Sequence, residues 1–357
     1  MASLTQISIS ARKVIRYGIY LIILLVILRF AFNISLNLYR RVFPPREPAP
    51  TVAFGKLPKL ALPDKPKAEN INYTLELVGG DLPKLPEQTL VYEMPAFQSD
   101  IKVIDDAKRK ANQLGFNPDG KVLVESIPNV YVFKKGATPA TLTMNVITGI
   151  FSISYNINEN PNIFEGTPGQ PETSVDFVRN YLKGFLSEDL TSGPGTTELL
   201  RYEGGKFVPA VSISESNAIK VNIFRKGFGK DGSIPSVTPD MPEANVWFIL
   251  AGRSRTPIAA EYHSFPINTS KIATYPLKTS EKAWEELKEG KAYFANIGEN
   301  SSGVIIRKIY LAYYDAGQYA QYYQPVIVFE GDNKFFAFVP AVIDEHYGRE
   351  QATTTAQ

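Results

Sequence analysis

The chain has 357 residues, 44% hydrophobic, 12% aromatic and 21% charged, with 25 glycines and 26 prolines, a composition that excludes wholesale disorder and allows about two to three ordinary domains. It holds no cysteine and two histidines, which removes disulfide scaffolds, cysteine zinc sites, thiol nucleophiles and iron–sulfur clusters together. The net charge of +2 is uneven: residues 1–46 carry Arg12, Lys13, Arg16, Arg29, Arg40, Arg41 and Arg46 and no acid, so the acidic side chains outnumber the basic ones in the rest. A mildly acidic body lacks the footprint that neutralises phosphates, and no nucleic-acid partner is expected.

The basic residues mark a membrane instead. After a short N-terminus, 1–16, placed in the cytoplasm, residues 17–38 read as a transmembrane helix close to the roughly 20 residues that a bilayer requires. Its anchor positions are Tyr17, Leu21, Leu24, Leu28, Arg29 and Phe32, with Arg29 near enough to the far end to snorkel. A cleaved signal peptide would stop sooner, at small residues, whereas apolar side chains continue here through Phe30, Phe32, Ile34 and Leu38. Flanking charges tie, three on each side. The first basic cluster abuts the span, which favours a cytoplasmic N-terminus and an extracytoplasmic body. A cysteine-free exported body fits a bacterial envelope.

Residues 39–70 form a proline-rich linker, stiff and extended, although Val52, Phe54, Leu57, Leu60 and Leu62 predict that part of it docks. A first α+β domain, 71–195, opens with a strand over 71–79. Its first helix spans 99–114, with Ser99 as cap, Ala107, Ala111 and Leu114 on the apolar face and Gly115 as terminator. Strands follow at 122–125, 130–133, 141–146 and 150–155, and then a helix at 174–186. The breaker run 191–196 sets a boundary. The second, β-rich domain, 196–350, has strands at 198–202, 206–212, 218–224, 246–250 and 257–263, with a hairpin turn at 203–206. A helix at 280–289 buries Ala283, Trp284 and Leu287. Strands at 304–314, 324–330 and 334–339 close the domain, and 351–357 is a disordered tail. The class is α+β, built of helices followed by antiparallel meanders.

The C-terminal run carries Tyr313 and Tyr314 at a strand end, Pro325 and Val326 opening the next strand, and Gly331 and Asp332 at a turn. This pattern, over residues 280–340, resembles the PepSY-like modules of membrane-anchored bacterial envelope proteins, especially the YycH/YycI-type regulators. Residues 107–155 echo it faintly. The resemblance implies a non-catalytic protein that inhibits proteases or binds partners regulating envelope sensors. The long insertion at 198–276 departs from that pattern.

Motifs that invite chemistry fail on context. Gly227, Gly229 and Gly232 have G-x-G-x-x-G spacing, but prolines interrupt the helix that dinucleotide binding needs. The loop 115–121 resembles a phosphate loop, but Val122 stands where Ser or Thr should reach Mg²⁺. His263 and His346 lack metal-ligand spacing and a companion cysteine, and no G-x-S-x-G elbow offers His263 a serine. The carboxylate neighbours Asp105 and Asp106, Glu188 and Asp189, and Glu285 and Glu286 diverge on helices and read as solvated. No catalytic residue, cofactor or metal is expected.

Six tyrosines crowd residues 310–323. Those in the loop, Tyr319, Tyr322 and Tyr323, are the candidate partner-binding residues, because tyrosine gives rigid contact area with a polar tip. The expected function is that of a non-enzymatic, single-pass anchored protein binding or regulating another envelope protein, a sensor or a protease. Alternatives are a structural, homo-oligomeric subunit of a trans-envelope assembly and an envelope peptide or glycan hydrolase.

Overall fold

The structure, a computed structural model, describes residues 4–42, 48–64, 71–97, 102–119, 121–122, 127–298 and 303–349. The expected cap Ser99, Gly120 of the 115–121 loop, strand positions 123–125 and the tail 351–357 lie outside the described residues. The chain forms two compact units, Met1–Ala49 and Pro50–Gln357.

The first unit is one helix, Leu4–Val42. Its segment Ile15–Leu36 has 22 residues and a mean hydropathy of 2.4, which makes it long and apolar enough to cross a membrane. At 1.5 Å per residue it covers about 33 Å, against about 30 Å of hydrocarbon. Tyr17, Leu21, Leu24, Leu28, Arg29 and Phe32 all lie on it with exposed side chains. The helix extends past both ends of the expected 17–38 because residues 4–42 contain no proline and Gly18 as their single glycine, so nothing there breaks the hydrogen-bond ladder.

In the second unit a nine-stranded antiparallel sheet runs in the spatial order Lys121–Val122, Val130–Lys135, Thr138–Asn145, Phe151–Tyr155, Thr256–Tyr262, Val246–Ala251, Ala218–Ile223, Gly195–Glu203 and Lys206–Pro209. Along Thr138–Asn145 alternation separates the two faces, every second residue from Ala140 to Met144 being buried. The buried face carries Phe133, Leu142, Ile153 and Phe248, and on these pack Ala107, Ala111 and Leu114 from helix Val103–Gln113 and Val178 and Leu182 from the region of helix Pro171–Tyr181. Local chemistry agrees with each element. Gly115 takes φ +81° after the first helix, Pro171 opens the second, and Gly204 and Gly205, both at positive φ, turn the hairpin before Lys206.

The boundary expected at 195/196 is not a structural one. Phe151–Tyr155, the last strand of the first meander, pairs antiparallel with Thr256–Tyr262, the last strand of the second, from Ser154 opposite Ala259 to Phe151 opposite Tyr262. Each meander alone would leave that edge unpaired; joined, they form one sheet. The expected second domain therefore divides: its strands from Gly195 to Tyr262, apart from Ser236–Val237, belong to this sheet, and Ser236–Val237 and the later strands to three others.

The six-stranded sheet contains Ser236–Val237, Gly303–Tyr314, Pro325–Gly331, Phe335–Pro340 and Tyr293–Asn296 in order, with Asn72–Leu75 parallel to Gly303–Tyr314. Helix Ser280–Lys288 precedes its main strands, capped where Thr279 accepts from the Lys282 N–H. Ala283 and Leu287 are buried, whereas Trp284 is only partly covered. Among the described residues a helix followed by an antiparallel meander thus occurs three times. A three-stranded sheet joins Asn268–Pro276, Gln88–Glu93 and Tyr322–Tyr323.

The linker is no free spacer over residues 50–62. The Val52 N–H donates to Thr274 O, Tyr275 Oη to Gly55 O, and Leu57–Pro58 pairs with Tyr347–Arg349. Leu57 is completely buried, and Val52 and Phe54 pack against its cluster. Docking through these apolar side chains follows the expectation; its extent does not.

Candidate binding surface

The tyrosine-rich segment divides by strand register. Tyr313, Tyr314 and Tyr323 are buried. Tyr323 stacks on Tyr313 with centroids 5.1 Å apart and shares a hydrogen bond with the Ser236 hydroxyl. Burial raises its phenol pKa well above the ordinary value. As a partner-contact residue Tyr323 is corrected: pairing of Tyr322–Tyr323 with Gln88–Glu93 turns its ring into the core. Tyr322 is half-buried, stacked at 4.8 Å on Phe54 of the docked linker. Tyr319 keeps an accessible ring, 37% exposed. It meets Phe97 edge-on at 6.3 Å, and Phe97 meets the buried Phe265 at 5.5 Å. Ile150 and Ile267 pack on the same cluster. The result is a partly exposed apolar surface assembled from four chain segments.

The Tyr319 loop is held from three sides. Asn245 Nδ2 donates to Asp315 O at 2.8 Å, Gln318 Nε2 donates to Ala61 O at 3.1 Å, and His263 Nδ1 lies 3.2 Å from Gly317 O. His263 Nε2 lies 2.9 Å from Glu261 Oε2. Both ring nitrogens face acceptors, which favours the imidazolium; the Glu261 hydrogen bond raises the pKa, and desolvation opposes it less strongly. The histidine is a loop fastener.

Beneath the loop lies a buried charge node. Arg225, 2% exposed, donates from Nε to Asp315 Oδ2 at 2.7 Å, from Nη1 to Asp189, and from Nη2 to Phe265 O at 2.8 Å. Burial opposes the guanidinium charge, but the carboxylates of Asp315 and Asp189 outweigh it and leave the pKa above its ordinary value. Asp189 shows the reverse: burial pushes its carboxyl up, and Arg225 brings it below the usual range. The solvated reading is therefore corrected for Asp189. It is corrected also for Glu286, which is 5% exposed and bonded to buried Lys278. Sequence offers no sign of these pairs, since Asp189 and Asp315 stand 36 and 90 residues from Arg225.

The glycine motif forms a loop closed by reciprocal bonds between Phe228 and Ile234. A Cβ on Gly227 would stand 2.0 Å from Gly232 O, and the Gly229 N–H is taken by Tyr92 Oη. The glycines serve close backbone approach. His346 sits by Tyr275 and does not share the partners of His263. Among the described residues no group of three or more His, Asp or Glu is arranged to hold a metal. Phe97, Phe265 and Ile267, which complete the Tyr319 surface, escaped the sequence reading because nothing local relates them to a loop more than fifty residues away.

No protein-family model matches the chain, and no curated protein matches it. Among solved structures, the crystal structure of an uncharacterized protein from Eubacterium rectale ATCC 33656 is similar at 12% identity with a TM-score of 0.39, covering 80% of this chain and 91% of that one. A likeness at that score assigns neither fold family nor function.

Proposed function

We propose that this chain is a single-pass, membrane-anchored envelope protein of PepSY-like, YycH/YycI-type character, without catalytic activity, whose extracytoplasmic body binds another envelope protein through the Tyr319 surface. The observation that carries this reading is the exposure of Tyr319 on a partly open aromatic cluster with Phe97, fixed in place by Asn245, Gln318 and His263. Aromatic anchors on a rigid support are the usual centre of binding energy at protein interfaces. Arg225 and Tyr323, whose pKa values burial affects strongly, are turned inward, the one bonded to Asp315 and Asp189 and the other to Ser236. Confinement to the bilayer plane raises effective concentration, so a small surface suffices.

Photocrosslinking from position 319 in native membranes tests the reading, with position 211, a 94% exposed valine, as control. The expected result is one recurrent protein captured from 319 and not from 211, which then binds the purified full chain at least tenfold more weakly when Phe97 is changed to Ser. Equal capture from both positions, or binding indifferent to Phe97→Ser, overturns it. The absence of cysteine allows a clean test of sidedness: Val211→Cys should react with an impermeant maleimide on intact cells, and reaction only after lysis would place the body inside.

A further inference from the structure

A recess of about 170 Å³ adjoins the Tyr319 surface, between the end of helix Val103–Gln113, the Thr148–Gly149 turn, the segment around Phe185 and the chain after strand Thr256–Tyr262. Pro266 on its wall lies between Phe265 and Ile267 of the aromatic surface, and Ile150 of that surface follows the turn. Phe185 and Tyr262 give it an aromatic side, with ring centroids 6.3 Å apart.

The charged group lining the recess is the Lys110 ammonium. Lys110 Nζ lies 5.8 Å from the Phe185 centroid and close against the turn, where a Cβ on Gly149 would stand 3.2 Å from it. No described carboxylate lies within ion-pair distance of Lys110. Thr148 Oγ1 accepts from the Ile150 N–H at 3.4 Å, which leaves that hydroxyl its own proton to give, whereas Ser264 Oγ accepts from Arg225 Nη2 at 3.3 Å and hydrogen-bonds the Tyr262 phenol. The Ser187 hydroxyl is buried and makes no well-formed hydrogen bond, although it lies near the Asp189 carboxylate that Arg225 already occupies. No Asp or Glu side chain lines the recess. The nearest in sequence, Glu188, Asp189 and Glu261, are paired with Lys226, Arg225 and His263.

The Lys110 ammonium and the Thr148 hydroxyl at a small, half-aromatic recess that no carboxylate lines match an anionic ligand. Charge-assisted hydrogen bonds strengthen where apolar walls limit water, and the recess offers about 170 Å³. That space fits a carboxylate with its first carbons.

We infer that this recess takes a carboxylate of the bound partner, either a peptide C-terminal carboxylate or an Asp or Glu side chain, while the adjoining residues of that peptide lie on the Tyr319 surface. The inference rests on the binding reading for its occupant, but the recess is testable by itself.

The experiment is ligand-observed NMR titration of the full chain in detergent micelles with three probes. N-acetylphenylalanine presents an α-carboxylate, N-acetylglutamate amide presents a side-chain carboxylate, and N-acetylphenylalanine amide presents none. The expected result is saturable binding of one or both acids with a dissociation constant in the millimolar range usual for so few contacts, and at least tenfold weaker binding of the neutral amide. The acid that binds better identifies the source of the carboxylate. Lys110→Met should weaken acid binding at least tenfold, and Lys110→Arg should restore most of it. Binding of neither acid, equal binding of the amide, or indifference to Lys110→Met overturns the inference. Phe97→Ser separates the two readings, because it should weaken partner binding at least tenfold and leave Lys110-dependent acid binding within threefold.

Discussion

Arg225 Nε donates to Asp315 Oδ2 at 2.7 Å, and through that bond the chain leaving strand Ala218–Ile223 is tied to the loop leaving strand Gly303–Tyr314. The nine-stranded and six-stranded sheets are linked there by charge in a dry environment. Breaking a buried pair from one side leaves the other charge without compensation, a loss of about 3–5 kcal/mol. Asp315→Ala should therefore lower the unfolding free energy of the full chain by about 3 kcal/mol or more, read from denaturant titration. Arg225→Met, which strands two carboxylates, should cost at least as much. A loss below about 1 kcal/mol for both would show that water reaches the node.

The pH dependence of the Tyr319 loop follows from His263. Its folded pKa is raised by the Glu261 hydrogen bond against desolvation. The stabilisation is fully present below the unfolded imidazole value of about 6.5 and is lost as pH rises through the elevated folded value. Thermal midpoints of the wild type should fall over that window relative to His263→Gln, which lacks the titration. Parallel curves for the two proteins would remove the histidine from the account.

Leu57 has no exposed surface, and its neighbours are the Tyr275 and Tyr347 regions of the C-terminal sheets. Truncation to Ala removes a buried side chain whose loss costs about 2–5 kcal/mol elsewhere. Leu57→Ala should make residues 50–62 the first site of limited proteolysis. Protection equal to wild type would mean that the backbone bonds at Val52, Gly55 and Pro58 hold the segment unaided.

Gly252 has φ +59°, and a Cβ there would come within 2.3 Å of Ile163 O. A left-handed L-residue costs about 1–2 kcal/mol and forced repacking about 1–3, so Gly252→Ala should destabilise by roughly 2–4 kcal/mol. Gly204 also has positive φ, at +60°, yet a Cβ there meets nothing within 4 Å. Gly204→Asn should stay within about 1 kcal/mol of wild type, since Asn tolerates this conformation. Comparison of the two unfolding midpoints separates steric approach from backbone preference.

The sequence by itself determined what is local. A run without proline and with aliphatic side chains suffices for the long apolar helix, since an α-helix satisfies its backbone internally. Alternation in 138–145, the Gly204-Gly205 turn, the Thr279 cap and the apolar faces of the three helices are each decided within a few residues, and strands were legible to within a residue or two at 218–224 and 304–314. Gln88–Glu93 shows a similar signal and went unread.

Only the tertiary structure decided which strand edges meet, and hence that Phe151–Tyr155 joins Thr256–Tyr262 across the expected boundary. Pairing between edges a hundred residues apart depends on shape and unpaired hydrogen bonds, which no window of sequence contains. The tertiary structure likewise sorted the tyrosines. Tyr319, Tyr322 and Tyr323 look equivalent in the chain, but register against Gln88–Glu93 buries Tyr323, the docked linker covers Tyr322, and Tyr319 stays open beside Phe97. The recess at Lys110 belongs to the same class of fact. Its lining comes from four separated segments, which meet only after the two meanders have joined.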